Sequence, residues 1–100
     1  MFEAEVALRG DTAVVAPIGE LDLATVERFR QAASAAARQA PTVVLDLRRL
    51  SFIDSSGLHA IVDLDAQAGR LIVVRGPQAV QRVFQITTLD KRLEFVDEPP

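Results

Sequence analysis

The segment Thr42-Val43-Val44-Leu45-Asp46-Leu47 constrains this chain most. A run so nearly all apolar reads as a central strand covered on both faces. Such strands belong to parallel sheets, whose neighbours are reached through crossover helices. The flanking residues supply them. Leu23 to Gln39 carries a stripe of Val26, Phe29, Ala33 and Ala36 at helical spacing, with Glu27, Arg28, Arg30, Gln31 and Arg38 on the wet side. Asp22 is placed to cap this helix and Pro41 ends it. From Ser55 a second helix sets Gly57, Ala60, Ile61, Leu64 and Ala68 on one side, and Gly69 is a natural stop. Leu71 to Val74 is another buried strand. Gly76-Pro77 opens a third helix with Val80, Val83, Phe84 and Thr87 on its inner face. Leu93 to Val96 reads as a short closing strand.

The chain opens differently. Glu3 to Arg9 alternates, with Ala4, Val6 and Leu8 opposite Glu3, Glu5 and Arg9. Gly10-Asp11 is a two-residue turn, and Thr12 to Ile18 is a second strand in which Pro17 marks an edge or a bend. The expected fold is one small α/β domain over residues 1–100. Its order is β-β-α-β-α-β-α with a possible closing strand, in a mixed, mostly parallel sheet with packed helices. The acidic end, Asp97-Glu98-Pro99-Pro100, is expected to fray.

Composition narrows the function. A formal net charge of −3 argues against nucleic acid, whose phosphates call for clustered Lys and Arg. The absence of cysteine excludes disulfides and thiolate metal sites, and fits a reducing cytoplasm. No apolar run approaches the roughly 20 residues that span a bilayer, and the first residues lack the pattern of a signal peptide. There is no glycine-rich loop followed by Lys-Ser or Lys-Thr, and Lys91 is the only lysine, so nothing supports a nucleotide site. No metal or cofactor is expected.

Chemistry concentrates in Ser51-Phe52-Ile53-Asp54-Ser55-Ser56-Gly57-Leu58, where a buried strand hands over to a helix. The first turn of a helix has unpaired N–H groups and a partial positive charge. Serine hydroxyls there can cap the helix, or carry a phosphate that the helix terminus stabilises.

Phe52 to Leu58 resembles the signature of bacterial STAS domains, specifically the anti-sigma factor antagonists. Gly19-Glu20-Leu21-Asp22 is similar to that family's landmark at the first helix, and Pro77 to Phe84 to its third helix. The resemblance spans nearly the whole chain and implies the same mixed sheet. It also implies that Ser56, the serine before Gly-Leu, is phosphorylated by a serine kinase that is itself an ATPase-type anti-sigma factor. Unphosphorylated antagonist binds that kinase and frees the sigma factor; phosphorylated antagonist lets go, and a serine phosphatase resets it. Asp22 matches a family position near the partner surface. Asp54 either orients the Ser56 hydroxyl or bonds nearby backbone N–H groups. Gly57 permits a close approach, of this domain or of a partner. Ser55, Leu58 and Val62 complete the expected partner surface; the last two lie off the main inner stripe, and are either exposed apolar contacts or, as the default, part of a wider buried stripe. The protein then acts in the cytoplasm on proteins, without nucleic acid or membrane and without a reaction of its own. A second use of such a domain is a permanent subunit of a lipid-transport or signalling assembly. There the acceptor position is commonly altered; the intact Asp54-Ser55-Ser56-Gly57 favours the switch.

Two other readings carry less. Ser56, His59 and Asp63 lie on one helical face, but side chains projecting from one straight helix do not converge as a triad, and no Gly-x-Ser-x-Gly elbow is present. His59 and Asp63 read as an exposed i, i+4 pair. Arg48-Arg49-Leu50-Ser51 looks like a basophilic kinase site at Ser51, a short match that arises often by chance.

Overall fold

The computed structural model describes residues 1–100. Strands β1 (Phe2–Arg9) and β2 (Thr12–Leu21) form the opening hairpin. There follow α1 (Val26–Gln39), β3 (Thr42–Asp46), β4 (Leu50–Ile53), α2 (Ser55–Gln67), β5 (Arg70–Val74), α3 (Gln78–Ile86), a short 3-10 turn at Leu89–Lys91, and β6 (Glu94–Val96). The sheet runs β1-β2-β3-β5-β6, with β4 also paired to β2. The hairpin is antiparallel and every other pairing is parallel. The expected α/β class, the mixed sheet and the closing strand are all present; β4 is a further strand that the expected order lacks, formed because the second half of β2 takes a parallel neighbour there.

The long second strand holds two partners end to end. Thr12–Val15 pairs with β3, and Gly19–Leu21 pairs with β4. Pro17 falls in the gap between them, where no parallel ladder needs its missing N–H. The strand therefore continues through Pro17, past the end expected at Ile18. At Gly19 the backbone takes φ +99°, and a side chain there would meet the Met1 carbonyl. A register shift lies at this same point, with Ser51 as the extra residue of β4; its Oγ donates to the Gly19 carbonyl at 3.0 Å.

All three helices cover one face. From β2 onward each crossover to β3, β5 and β6 advances the sheet in the same direction. A constant right-handed sense then puts every helix on one side. Phe29, Ala33 and Ala36 of α1, Leu58, Ala60, Ile61 and Leu64 of α2, and Val80 and Phe84 of α3 join a single core of 23 buried residues. Helices α1 and α2 are tied further by Arg30 to Asp63 at 2.7 Å and by Ser34 to Gln67 at 3.2 Å.

The other face carries no helix, which corrects the reading of β3 as covered on both sides. Val44, Ile72 and Val74 form their own small cluster there, and Val44 is only 2 % exposed. Its cover is long-chain and ionic. Asp46 with Arg48 and Arg70 with Glu94 pair on this face, and such side chains lay apolar stems over the sheet while their charged ends stay wet. Pro99 and Pro100 border a hollow with Val14 and Val44 on this face. The Arg48 guanidinium holds the Asp46 carboxyl below its ordinary range, and Arg70 does the same to Glu94. Folded-state values lowered in this way favour the native state above the ordinary carboxylate range, and that gain fades on acidification.

Candidate functional site

Leu21 of β2 pairs with Ile53 of β4 in parallel register, so Asp22 and Asp54 leave adjacent strands side by side. The Asp54 N–H donates to the Leu21 carbonyl at 3.2 Å and closes this end of the sheet. The site sits on that closure.

Asp54 is the N-cap of α2: its Oδ1 accepts from the Gly57 N–H at 3.2 Å, and its carbonyl takes the Leu58 N–H. Capping thus belongs to the carboxylate and not to the serines. Neither the Ser55 nor the Ser56 hydroxyl bonds to another group of the domain. Their N–H groups belong to the unpaired first turn of the helix. Ser55 is exposed and Ser56 half-buried. Ser56 therefore presents a free hydroxyl at the positive end of a helix, and Asp22 and Asp54 stand at the ends of the adjoining strands.

Asp22 organises the neighbouring turn. Its Oδ1 accepts from the Ala24 and Thr25 N–H groups at 3.0 and 3.2 Å, and its own N–H donates to Thr25 Oγ1. The Thr25 hydroxyl donates in turn to the Glu20 carbonyl at 2.8 Å. The first helix consequently begins at Val26, three residues later than its apolar pattern suggests, because this closed turn takes up Leu23 to Thr25; its N-cap is Thr25, so Asp22 caps the turn and not the helix as expected.

Gly57 resolves to the domain's own packing. A Cβ there would lie 2.7 Å from Ile53 Cγ1 and 2.9 Å from Leu21 Cγ, both in the core. Overpacking of this kind costs about 1–3 kcal/mol, against which alanine recovers about 1 kcal/mol of helix propensity. Gly57→Ala is expected to destabilise by about 1 kcal/mol, read as a lowered urea midpoint at unchanged slope. An unchanged midpoint would mean that Ile53 and Leu21 have room to yield.

Leu58, expected either as a surface contact or in a wider buried stripe, is 5 % exposed and part of the core. The inner stripe of α2 is wider than its strict spacing implies, because the helix is sandwiched between the sheet and α1. Val62 is half-buried and packs against the same core. Two other apolar side chains stand out at this end, Leu23 at 78 % and Phe52 at 49 % exposed. Phe52 pairs with Glu20 across β2 and β4. Both were visible in the sequence, Leu23 as an apolar residue directly after the turn aspartate Asp22 and Phe52 inside the signature itself.

The remaining candidates separate. Asp63 pairs with Arg30 rather than with His59, and no hydrogen bond joins Ser56, His59 and Asp63. Ser51 has its hydroxyl engaged by Gly19. No group of His, Asp and Glu gathers at metal-binding distance. No helix is long and apolar enough to cross a membrane.

Known proteins line up with this geometry. A sequence profile described as "Mlab, STAS domain" matches residues 4–97. The anti-sigma F factor antagonist of Lysinibacillus sphaericus is 37 % identical over 94 residues, covering 88 % of this chain and 80 % of that one. The crystal structure of an anti-sigma factor antagonist from Mycobacterium paratuberculosis superposes with a TM-score of 0.91 at 26 % identity, over 98 % of this chain and 87 % of that one. The anti-sigma factor antagonist SpoIIAA is similar in its unphosphorylated form, with TM-score 0.69, 31 % identity and coverage of 99 % and 90 %. It is also similar in its phosphorylated form, described as a Bacillus cell fate determinant, with TM-score 0.71, 29 % identity and coverage of 98 % and 93 %.

Proposed function

This chain belongs to the STAS domain family, and on that premise we propose that it is an anti-sigma factor antagonist that switches partners through Ser56. Unphosphorylated, it binds an ATPase-type anti-sigma factor and releases the sigma factor held there. The same anti-sigma factor, bringing its own ATP and magnesium, phosphorylates Ser56, and the complex parts. A serine phosphatase returns the antagonist to its binding form. The chain is the substrate of this cycle and performs no reaction itself; its place is the cytoplasm, and it contacts neither nucleic acid nor membrane.

One observation carries the reading: the Ser56 hydroxyl is unbonded at the second position of a helix whose cap is supplied by Asp54. A serine needed for capping would be spent on the backbone; this one is free for a kinase. Asp22 and Asp54 frame it, Ser55 lies exposed beside it, and Val62 is the half-buried apolar residue one turn beyond Leu58. Gly57 and Leu58 serve from beneath by seating the helix on the sheet. Leu23 and Phe52 extend the partner surface with exposed apolar area.

The test is a pull-down from the native cytoplasm with wild type, Ser56→Ala and Ser56→Asp as baits. An ATPase-type anti-sigma factor is expected with wild type and Ser56→Ala and not with Ser56→Asp. Equal capture of one partner by all three baits would overturn the switch and favour a permanent assembly subunit.

A further inference from the structure

The first strand is a free edge. β1 pairs only with β2, and the sheet ends there. It is eight residues long and carries Val6 and Leu8 at 43 % and 57 % exposure. Edge strands are ordinarily blunted by proline, lysine or a bulge. Phe2–Arg9 contains neither residue, and its register with β2 runs without a shift. The outward groups can be identified. The Met1 carbonyl accepts from the Glu20 N–H, so odd positions turn their backbone toward β2. Antiparallel alternation then leaves the N–H and C=O groups of Ala4, Val6 and Leu8 facing away from the sheet.

We propose that this edge is a self-association surface, on which two copies pair their β1 strands antiparallel about a two-fold axis at Val6. In that register Val6 faces Val6, Ala4 faces Leu8, and Glu3 of each copy faces Arg9 of the other. Glu3 and Arg9 take part in none of the domain's ion pairs. The two-fold axis joins them twice, once at each end of the paired strands. Val6 and Leu8 share the helix-covered side with Val15 and Ala13, and pairing shields them there. The neighbouring registers are poorer. Centring on Glu5 sets two carboxylates directly opposite. Centring on Ala7 shortens the overlap and draws on Glu5, which Arg49 already holds. The surface is independent of the Ser56 site, because β4 lies along the other edge of β2.

Sedimentation equilibrium over a concentration series tests this with wild type, Glu3→Arg, Arg9→Glu and the double reversal. Wild type is expected to dimerise with concentration. Each single reversal turns two attractions into two repulsions and weakens the dimer about tenfold. The double reversal restores opposite charges and returns the dimer to within about threefold of wild type. Both positions are exposed, and matching thermal melts establish that all four chains fold. A wild type that stays monomeric throughout would overturn the proposal. So would single reversals without effect, or a double reversal without recovery.

Discussion

Phe84→Ala is expected to cost the domain about 3–5 kcal/mol, the usual range for deleting a fully buried aromatic ring. Phe84 has no solvent exposure and meets Phe95 of β6 edge-on, with ring centres 5.3 Å apart. Little else holds this corner. Helix α3 has nine residues, its N-cap Pro77 offers no side-chain cap, and it buries only Val80 and Phe84. β6 has three residues and one neighbouring strand. Removing the ring therefore strips both elements of their common anchor. Against a whole-domain stability of about 5–15 kcal/mol, the loss lowers the melting temperature by more than about 12 °C. Ile86, on the same helix but 74 % exposed, is the control; Ile86→Ala is expected to stay within about 0.5 kcal/mol of wild type. Thermal and urea unfolding of the two variants check this. Comparable small shifts in both would show that α3 is held by something other than its aromatic anchor.

Phe84 also shows what a single chain makes legible. Val80 and Phe84 recur at helical spacing, so a local pattern reports their burial. The same holds for Val43 and Leu45 in β3, and for Phe29, Ala33 and Ala36 in α1. The Asp54-Ser55-Ser56-Gly57 junction is equally plain, since an acid, hydroxyls and a glycine gather where strand gives way to helix. What escaped was decided by partners distant in sequence. β4 is four residues with only its ends buried, and it exists because the second half of β2 needs a parallel neighbour after the shift at Gly19. Its buried ends mimic a loop that happens to hold two apolar residues. For Leu58 the sequence allowed both a surface contact and a wider buried stripe, and the second holds because α2 is pressed from two sides. The uncovered face of β3 was hidden for a related reason. Val44 looks the same to a sequence reader whether a helix or a set of arginine stems lies over it. The start of α1 moved to Val26 because the Asp22–Thr25 turn has strong side-chain bonds that compete with a helical first turn.

Phosphate on Ser56 is expected to lower affinity for the anti-sigma factor about 100-fold or more while leaving the fold intact. The two halves follow from different neighbours. Within the domain the group gains from the unpaired N–H groups and the dipole of α2, a contribution of about 0.3–1 kcal/mol. Arg30, Arg48 and Arg49 are each held by a carboxylate elsewhere. Asp22 and Asp54 add like charge at the ends of the adjoining strands. The helix terminus and the carboxylates thus nearly offset each other, and the melting temperature shifts by no more than a few degrees. At an interface the balance changes. A phosphate adds about −1.5 to −2 charges, and burying them against a partner's apolar surface leaves them without a cation or water. A hundredfold loss corresponds to about 2.7 kcal/mol, less than the cost ordinarily found for a buried unpaired charge. Calorimetric titration of both forms against the purified anti-sigma factor measures one half, and thermal melts measure the other. Equal affinities would end the switch. A phosphorylated domain that melts far lower would place the effect in the fold instead. Salt separates the two parts of the penalty: repulsion from Asp22 and Asp54 is screened as ionic strength rises, whereas desolvation of the phosphate is not. The loss is therefore expected to shrink in high salt without disappearing, because the desolvation cost at a buried interface does not depend on ionic strength.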